Sequence, residues 1–438
     1  MLKTIARIGV PAMLAAAAAT TAEAADKPQI DTGDTAWLLM ATVLVLMMNI
    51  PGLALFYAGM VRKKNVLATA VQAFAVAALV TVLWFVVGYS LAFTDGGGLN
   101  GIIGSLSRAV GKGLQGSVHE LAKTVPENVF LMYQATFAVI TPAIIAGAFA
   151  ERMKFSAMMW FMALWVLFVY VPVAHWVWGG GFLGAAGVLD FAGGLVVHLN
   201  AGIAGLVCCI VIGKRHGYGT ENMAPHNLVL TLIGTSLLWV GWFGFNAGSA
   251  LASGELAGNA MLNTHIAAAT AALAWMAIEW TSRGKPSVLG ILTGAIAGLG
   301  TITPAAGYVE PWAALLIGAA AGTVCYWASV ILKTRLGYDD SLDVFGVHGV
   351  GGILGSILVG VFATKVINDV AKGQPVGLVD GNPGQILTQL YGVVVIGAFC
   401  AVATWVILKI VDAMVGLRVT RDEEVEGLDT ALHGERVQ

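Results

Sequence analysis

Charge is what this sequence has least of. Asp, Glu, Lys and Arg make up 11% of its 438 residues, where a soluble domain carries about 25%. A net charge of −2 leaves no broad basic surface, so nucleic acid is not an expected partner. Cysteine is scarce as well. Cys208, Cys209, Cys325 and Cys400 all fall inside apolar runs and none has metal-ligand spacing, which points to buried free thiols and no metal site. Short alternating segments are missing, and with them the signature of a membrane β-barrel. No nucleophile–base set stands out, so an enzyme is the least expected class, and no cofactor is expected.

What is present is apolar. Hydrophobic residues make up 58% of the chain, and they come in blocks of about 20 or more, the length that crosses a bilayer as a helix. The fold class is therefore an all-α polytopic membrane protein. Residues 1–24 stand apart: Lys3 and Arg7, a short apolar stretch, then Ala22-Glu23-Ala24, the pattern of a cleaved signal peptide. Eleven spans follow, near 35–59, 66–94, 127–149, 155–173, 190–213, 227–248, 257–281, 286–303, 309–332, 344–364 and 385–414. Loops after odd-numbered spans hold eleven Lys or Arg, those after even-numbered spans five. The positive-inside rule then puts the mature N-terminus in the periplasm and the C-terminus in the cytoplasm, in the lipid bilayer of the cell inner membrane. Most of the 56 glycines read as close helix packing.

Two stretches interrupt the apolar pattern. DFAGGLVVHLNAG (190–202) and DVFGVHGVGG (343–352) each bring an aspartate and a histidine to the start of a span. Those spans, the fifth and tenth, run in opposite directions, as in an inverted repeat of two five-helix halves with a site between them. His198 lies about 12 Å into its span, at about 1.5 Å per residue. Ionisable residues at such depth face a cavity or a partner. Two imidazoles can satisfy each other through one N–H and leave their remaining nitrogens for a guest. Asp190 can accept backbone N–H groups at its helix start; direct contact with a cation is the secondary reading. Tyr133 and Phe137, and Phe245 and Ser249, are spaced by four, while Trp178 stands at an outer helix end. Taken singly, these aromatics read as an interfacial belt.

Together these stretches resemble the ammonium transporter (Amt) family, related to Rhesus proteins. The resemblance is carried by IPGLALFYAGMVRKKNVL, GAFAERMKFS, DFAGGLVVHLNAG, PHNL, GWFGFNAGSA, GKPSVLG and DVFGVHGVGG. It implies eleven transmembrane helices, two inverted five-helix repeats plus a long final helix, assembled as a homotrimer with one pore per subunit. It also implies roles: Trp178 and Ser249, with Phe137 and Tyr133, as an outer ammonium recruitment site; Phe137 and Phe245 as a ring gate; His198 and His348 as pore and proton relay; Asp190 as support. Tyr133 stands where some relatives carry phenylalanine. Rhesus proteins generally lack this Trp and Ser combination.

The chemistry fits those roles. Trp178 can hold a small cation by cation–π attraction and Ser249 by accepting a hydrogen bond. Carrying an intact ion through an apolar constriction is costly, whereas ammonia is neutral, and potassium has no proton to give up. The expected function is transport by deprotonation and conduction of ammonia with proton transfer; the alternatives are a passive ammonia channel, or an ammonium sensor acting through a PII-type partner. The tail, 417–438, reads by composition as a solvated end. Its EGLD resembles the tail of bacterial members that bind PII-type signalling proteins. Glu426, Gly427, Leu428 and Asp429 are then expected to fold it against the cytoplasmic face as a regulatory tail, near Lys63, Lys214 and Arg215.

Overall fold

The computed structural model describes residues 29–367 and 375–437; the expected signal peptide lies outside them. Among the described residues, ten helices are long and apolar enough to cross a membrane: α1 (Thr32–Met60), α2 (Lys63–Phe93), α3 (Glu127–Phe149), α4 (Phe155–Ala185), α5 (Gly194–Ile212), α6 (Leu228–Gly248), α7 (Glu255–Arg283), α9 (Pro311–Leu336), α10 (Phe345–Phe362) and α11 (Gly384–Val415). An eighth in chain order, α8 (Val288–Ile302), has 15 residues, about 22 Å at about 1.5 Å per residue. It matches the short expected span at 286–303. The fifth helix starts at Gly194 rather than at residue 190, because 190–193 form a turn that caps it.

The helices pack as two equivalent sets. α1 packs on α6, and α5 packs on α10, so the first helix of each half meets its counterpart and the fifth meets its own. α7 packs against α8 and α9, while the 32-residue α11 lies along α4, α5 and α10. At one end a short hairpin, β1 (Val118–His119) with β2 (Ala122–Pro126), precedes α3.

The other end is basic and tied together by charge. Glu151, after α3, pairs with Arg62, after α1, at 3.0 Å and with Arg215, after α5, at 3.2 Å. Arg215 also pairs with Asp339, after α9, at 2.8 Å. The loops after these odd-numbered helices therefore share one end. Burial alone would raise both carboxyls, yet Arg215, with Arg62 at Glu151 and Arg152 at Asp339, holds them below the usual carboxylate range. Arg152 is fully buried and donates to the carbonyls of Ala148, Ala150, Gly213 and Asp339 and to Ser341.

The tail is folded, not solvated. Thr420 and Glu423 form a reciprocal cap on α12 (Arg421–Glu426), and α13 (Leu428–His433) follows. Leu428 is buried with Ala68 and Val419, its N–H donates to Asn65 Oδ1 at 2.8 Å, and Asp429 accepts from the Ala68 N–H at 2.7 Å. Gly427, with φ 108°, passes so close to Lys64 that a Cβ would lie 2.7 Å from its carbonyl oxygen. One expectation needs correction. Glu426 faces solvent; the buried glutamate is Glu424, which accepts from the His216 N–H at 2.6 Å and from Arg418 at 2.8 Å. Arg215 lies at this end as expected, paired with Glu151 and Asp339.

Candidate functional site

The turn before α5 is built around Asp190. Its Oδ1 accepts from the N–H groups of Gly193 (2.9 Å) and Gly194 (2.6 Å), and its Oδ2 from Leu195 (2.9 Å) and Val196 (3.0 Å). These are the donors a helix start leaves orphaned, and four of them occupy the positions where a carboxylate accepts. The side chain secures the helix and has no oxygen to spare for a cation.

The same device begins α10, displaced from where the sequence reading put it. Asp340, eight residues before His348 as Asp190 is before His198, accepts from the Phe345 N–H at 2.7 Å. Asp343, which the sequence reading paired with Asp190, instead occupies the place of Gly193. Both are in the left-handed region, Gly193 at φ 115° and Asp343 at φ 59°, and Asp343 is held by an ion pair with Lys333.

Four residues after each histidine stands a glycine at the crossing of α5 and α10. A Cβ on Gly202 would collide with the Gly349 backbone, and one on Gly352 would lie 2.6 Å from Gly194 O and Leu199 N. The two helices thus cross at backbone contact. Each histidine sits in a wide π-type turn, Gly194–Leu199 and Phe345–Gly349, a local departure frequent at functional positions. The result is a His198 Nδ1 to His348 Nδ1 distance of 3.2 Å with the ring planes 15° apart. His198 lies parallel to Trp242, at 5.4 Å and 18°, and Trp242 donates to Thr303 Oγ1 at 3.0 Å. His198 Nε2 is buried with no hydrogen-bond partner among the described residues. Beside the pair lies a cavity of about 10 Å³, walled by Ile140, Ile144, Leu238, Trp242 and Phe245, barely one water in size.

Phe137 and Phe245 close its other side, with ring centroids 4.3 Å apart. Beyond them, at the end opposite the basic loops, opens a cavity of about 570 Å³ lined by Gln134, Phe137, Trp178, Asp190 and Ser249. The Trp178 indole donates to the Asp190 carbonyl at 2.8 Å and meets Phe137 edge-on at 6.0 Å. Ser249 spends its proton on the Phe245 carbonyl, 2.8 Å away, which leaves its lone pairs for a donor in the cavity. Tyr133 is not on the cavity wall. It is fully buried behind Ser249, its hydroxyl within 3.0 Å of Gly244 O, 2.9 Å of Phe245 O and 3.2 Å of Ser249 Oγ, so it braces the end of α6.

The chain matches the Ammonium Transporter Family profile over residues 36–438. It belongs to that family. Ammonium transporters of Aquifex aeolicus and Bacillus subtilis are 50% and 49% identical to it, over 94% and 92% of this chain and 95% and 98% of theirs. The crystal structure of Saccharomyces cerevisiae Mep2 superposes with a TM-score of 0.84 at 36% identity, covering 90% of this chain and 89% of that one. A structure titled Sensor Amt Protein superposes with a TM-score of 0.83 at 29% identity, covering 92% and 98%. For an ammonium transporter, the sequence reading omitted Trp242, Asp340 and the crossing glycines. The signal was there: Asp, His and Gly recur at 190, 198, 202 and at 340, 348, 352.

Proposed function

We propose that this ammonium transporter recruits ammonium from the periplasm into the Trp178–Ser249 cavity, where it gives up its proton to water, and conducts ammonia past the Phe137–Phe245 rings to the imidazole pair. The observation that carries this reading is the pair itself: buried, in mutual hydrogen-bond distance, with His198 Nε2 unpartnered beside a cavity of about 10 Å³. Such a nitrogen can bond ammonia, while a cavity this size has no room for a hydration shell. The imidazoles also pass the released proton inward, so net charge crosses. Proteoliposomes on a solid-supported membrane should give an inward positive current after an ammonium jump and none after a potassium jump; ammonium uptake without current at any pH would leave a passive ammonia channel.

The subunits work as a homotrimer in the inner membrane, with the basic end cytoplasmic. An exposed imidazole at bilayer depth supports assembly: His265 of α7 faces outward, accepting from Trp239 at 3.3 Å, and lipid is a poor neighbour for it. The folded tail offers a surface for a PII-type partner to read. Likeness to a structure titled Sensor Amt Protein favours signalling through such a partner as the second reading.

A further inference from the structure

His175 is fully buried in α4, three residues before Trp178. Its Nδ1 lies 2.9 Å from the Ala92 carbonyl oxygen and its Nε2 lies 2.6 Å from the Asn100 carbonyl oxygen. A carbonyl only accepts, and a neutral imidazole carries one N–H. In either neutral tautomer, one of these contacts sets lone pair against lone pair. Only the doubly protonated ring donates to both. We infer that His175 is a positioning residue that works as an imidazolium, clamping the 92–101 segment to the turn that presents Trp178, so that ammonium affinity depends on its charge.

The surroundings support a clamp at this seam. The His175 carbonyl accepts from the N–H groups of Gly179 and Gly181, each at 3.0 Å, which shapes the turn immediately after Trp178. The same turn is stitched to the outer segment by Phe182 N–H to Gly101 O at 3.0 Å, Trp176 to Ile102 O at 2.9 Å and Asn100 to Gly180 O at 3.3 Å. A Cβ on Gly179 would lie 2.7 Å from His175 Nδ1, so the turn packs directly on the ring. The acidic groups on the packed elements are otherwise engaged. Asp95 accepts from the Gly97 N–H, Glu127 holds Arg108 and Tyr89, and Asp190 is filled by backbone donors. His119 Nε2 lies 2.8 Å from the Phe93 carbonyl oxygen. Tyr170 lies one turn back on α4, and its buried hydroxyl has no hydrogen-bond partner among the described residues. Among the described residues, the hydrogen-bond partners of the ring are the two carbonyls.

The inference rests on the proposed recruitment role of Trp178, and its direction follows from the geometry. Loss of the proton turns one attractive contact repulsive, loosens the seam and displaces the indole. Affinity should therefore weaken as pH rises and the ring gives up that proton. The test is the ammonium current on solid-supported membranes, fitted for KM and maximal current as the pH is varied between about 5 and 8. Wild type should show KM rising several-fold with pH and a far smaller change in maximal current. His175→Gln, close in size but neutral, should have a high KM that no longer varies with pH. His175→Lys keeps a cation with donors for both carbonyls and should restore a low, pH-independent KM. A purely packing role predicts the reverse order, with Gln better tolerated than Lys. If neither variant assembles, Trp178→Leu decides: the pH dependence of KM should vanish when the indole is gone. A pH-independent wild-type KM, or a pH dependence that survives in His175→Gln or Trp178→Leu, overturns the inference. Absence of any wild-type ammonium current would instead overturn the transport reading beneath it.

Discussion

The two histidine-bearing segments are built alike and finished differently. Asp190 and Asp340 each cap a helix from the same offset, and each histidine is followed by a glycine at the crossing. Yet Asp190 fills both oxygens with four backbone donors, whereas Asp340 Oδ1 is buried with no hydrogen-bond partner among the described residues. The turn residue is Gly193 on one side and Asp343, held by Lys333, on the other. The segment beside the Trp178–Ser249 cavity is thus locked by its own backbone, and Asp190 also fixes Trp178 through its carbonyl. The segment at the basic end is held through charge. Symmetry sets the imidazole pair, and the departures from it distinguish the cavity end from the basic end.

The strongest test of equivalence removes the rings. His198→Ala and His348→Ala should each abolish selective ammonium current while leaving protein of normal oligomeric size; normal current in both would make the pair structural. Next come the crossing glycines. Gly202→Ala and Gly352→Ala should both cut the maximal current severely by parting the imidazoles, with Gly202→Ala the harsher, since its methyl would lie nearer to backbone atoms than the 2.6 Å of a methyl at Gly352. Thermal unfolding measured beside the current separates a parted pore from a lost fold.

The caps should then break the symmetry. Asp190→Asn keeps one acceptor oxygen where two served four donors, and should lower stability by about 2–4 kcal/mol. Asp340→Asn can keep the bond from Phe345 and should stay within about 1 kcal/mol. Equal losses in denaturation would mean the two turns are interchangeable. The smallest effect belongs to the outer site. Trp178→Leu with Ser249→Ala should weaken apparent ammonium affinity only several-fold, because one exposed cation–π contact is worth about 0.5–1 kcal/mol. An unchanged KM in the double variant would remove the recruitment site.

Most of the fold was legible because bilayer thickness imposes a length that composition reveals. The eleven segments and the two buried histidines needed nothing more. What escaped depended on contacts that leave no periodic trace. Asp343 adjoins the apolar run and drew attention, while Asp340, three residues earlier, makes the capping bond; only the repeated eight-residue interval marks it. Glu424 and Glu426 look alike in sequence, and a backbone N–H from His216, far along the chain, decides which is buried. Tyr133 reads as an interfacial or recruitment-site aromatic, and only its hydroxyl, bonded to the end of α6, gives it a bracing place.

The ion pairs at the basic end bear on how fast such a protein can run. Arg215 joins the loop that ends the first half to the loop that leads into α10 of the second, and α5 and α10 meet backbone to backbone. Rocking one half against the other would have to open a desolvated guanidinium–carboxylate pair and separate a glycine seam in every cycle. A conduit that stays put avoids both barriers. Turnover should then follow the shallow temperature dependence of small-molecule and proton hopping rather than the steep one of a domain rearrangement. An Arrhenius plot of the ammonium current, straight and of low slope through the growth range, is the signature to look for.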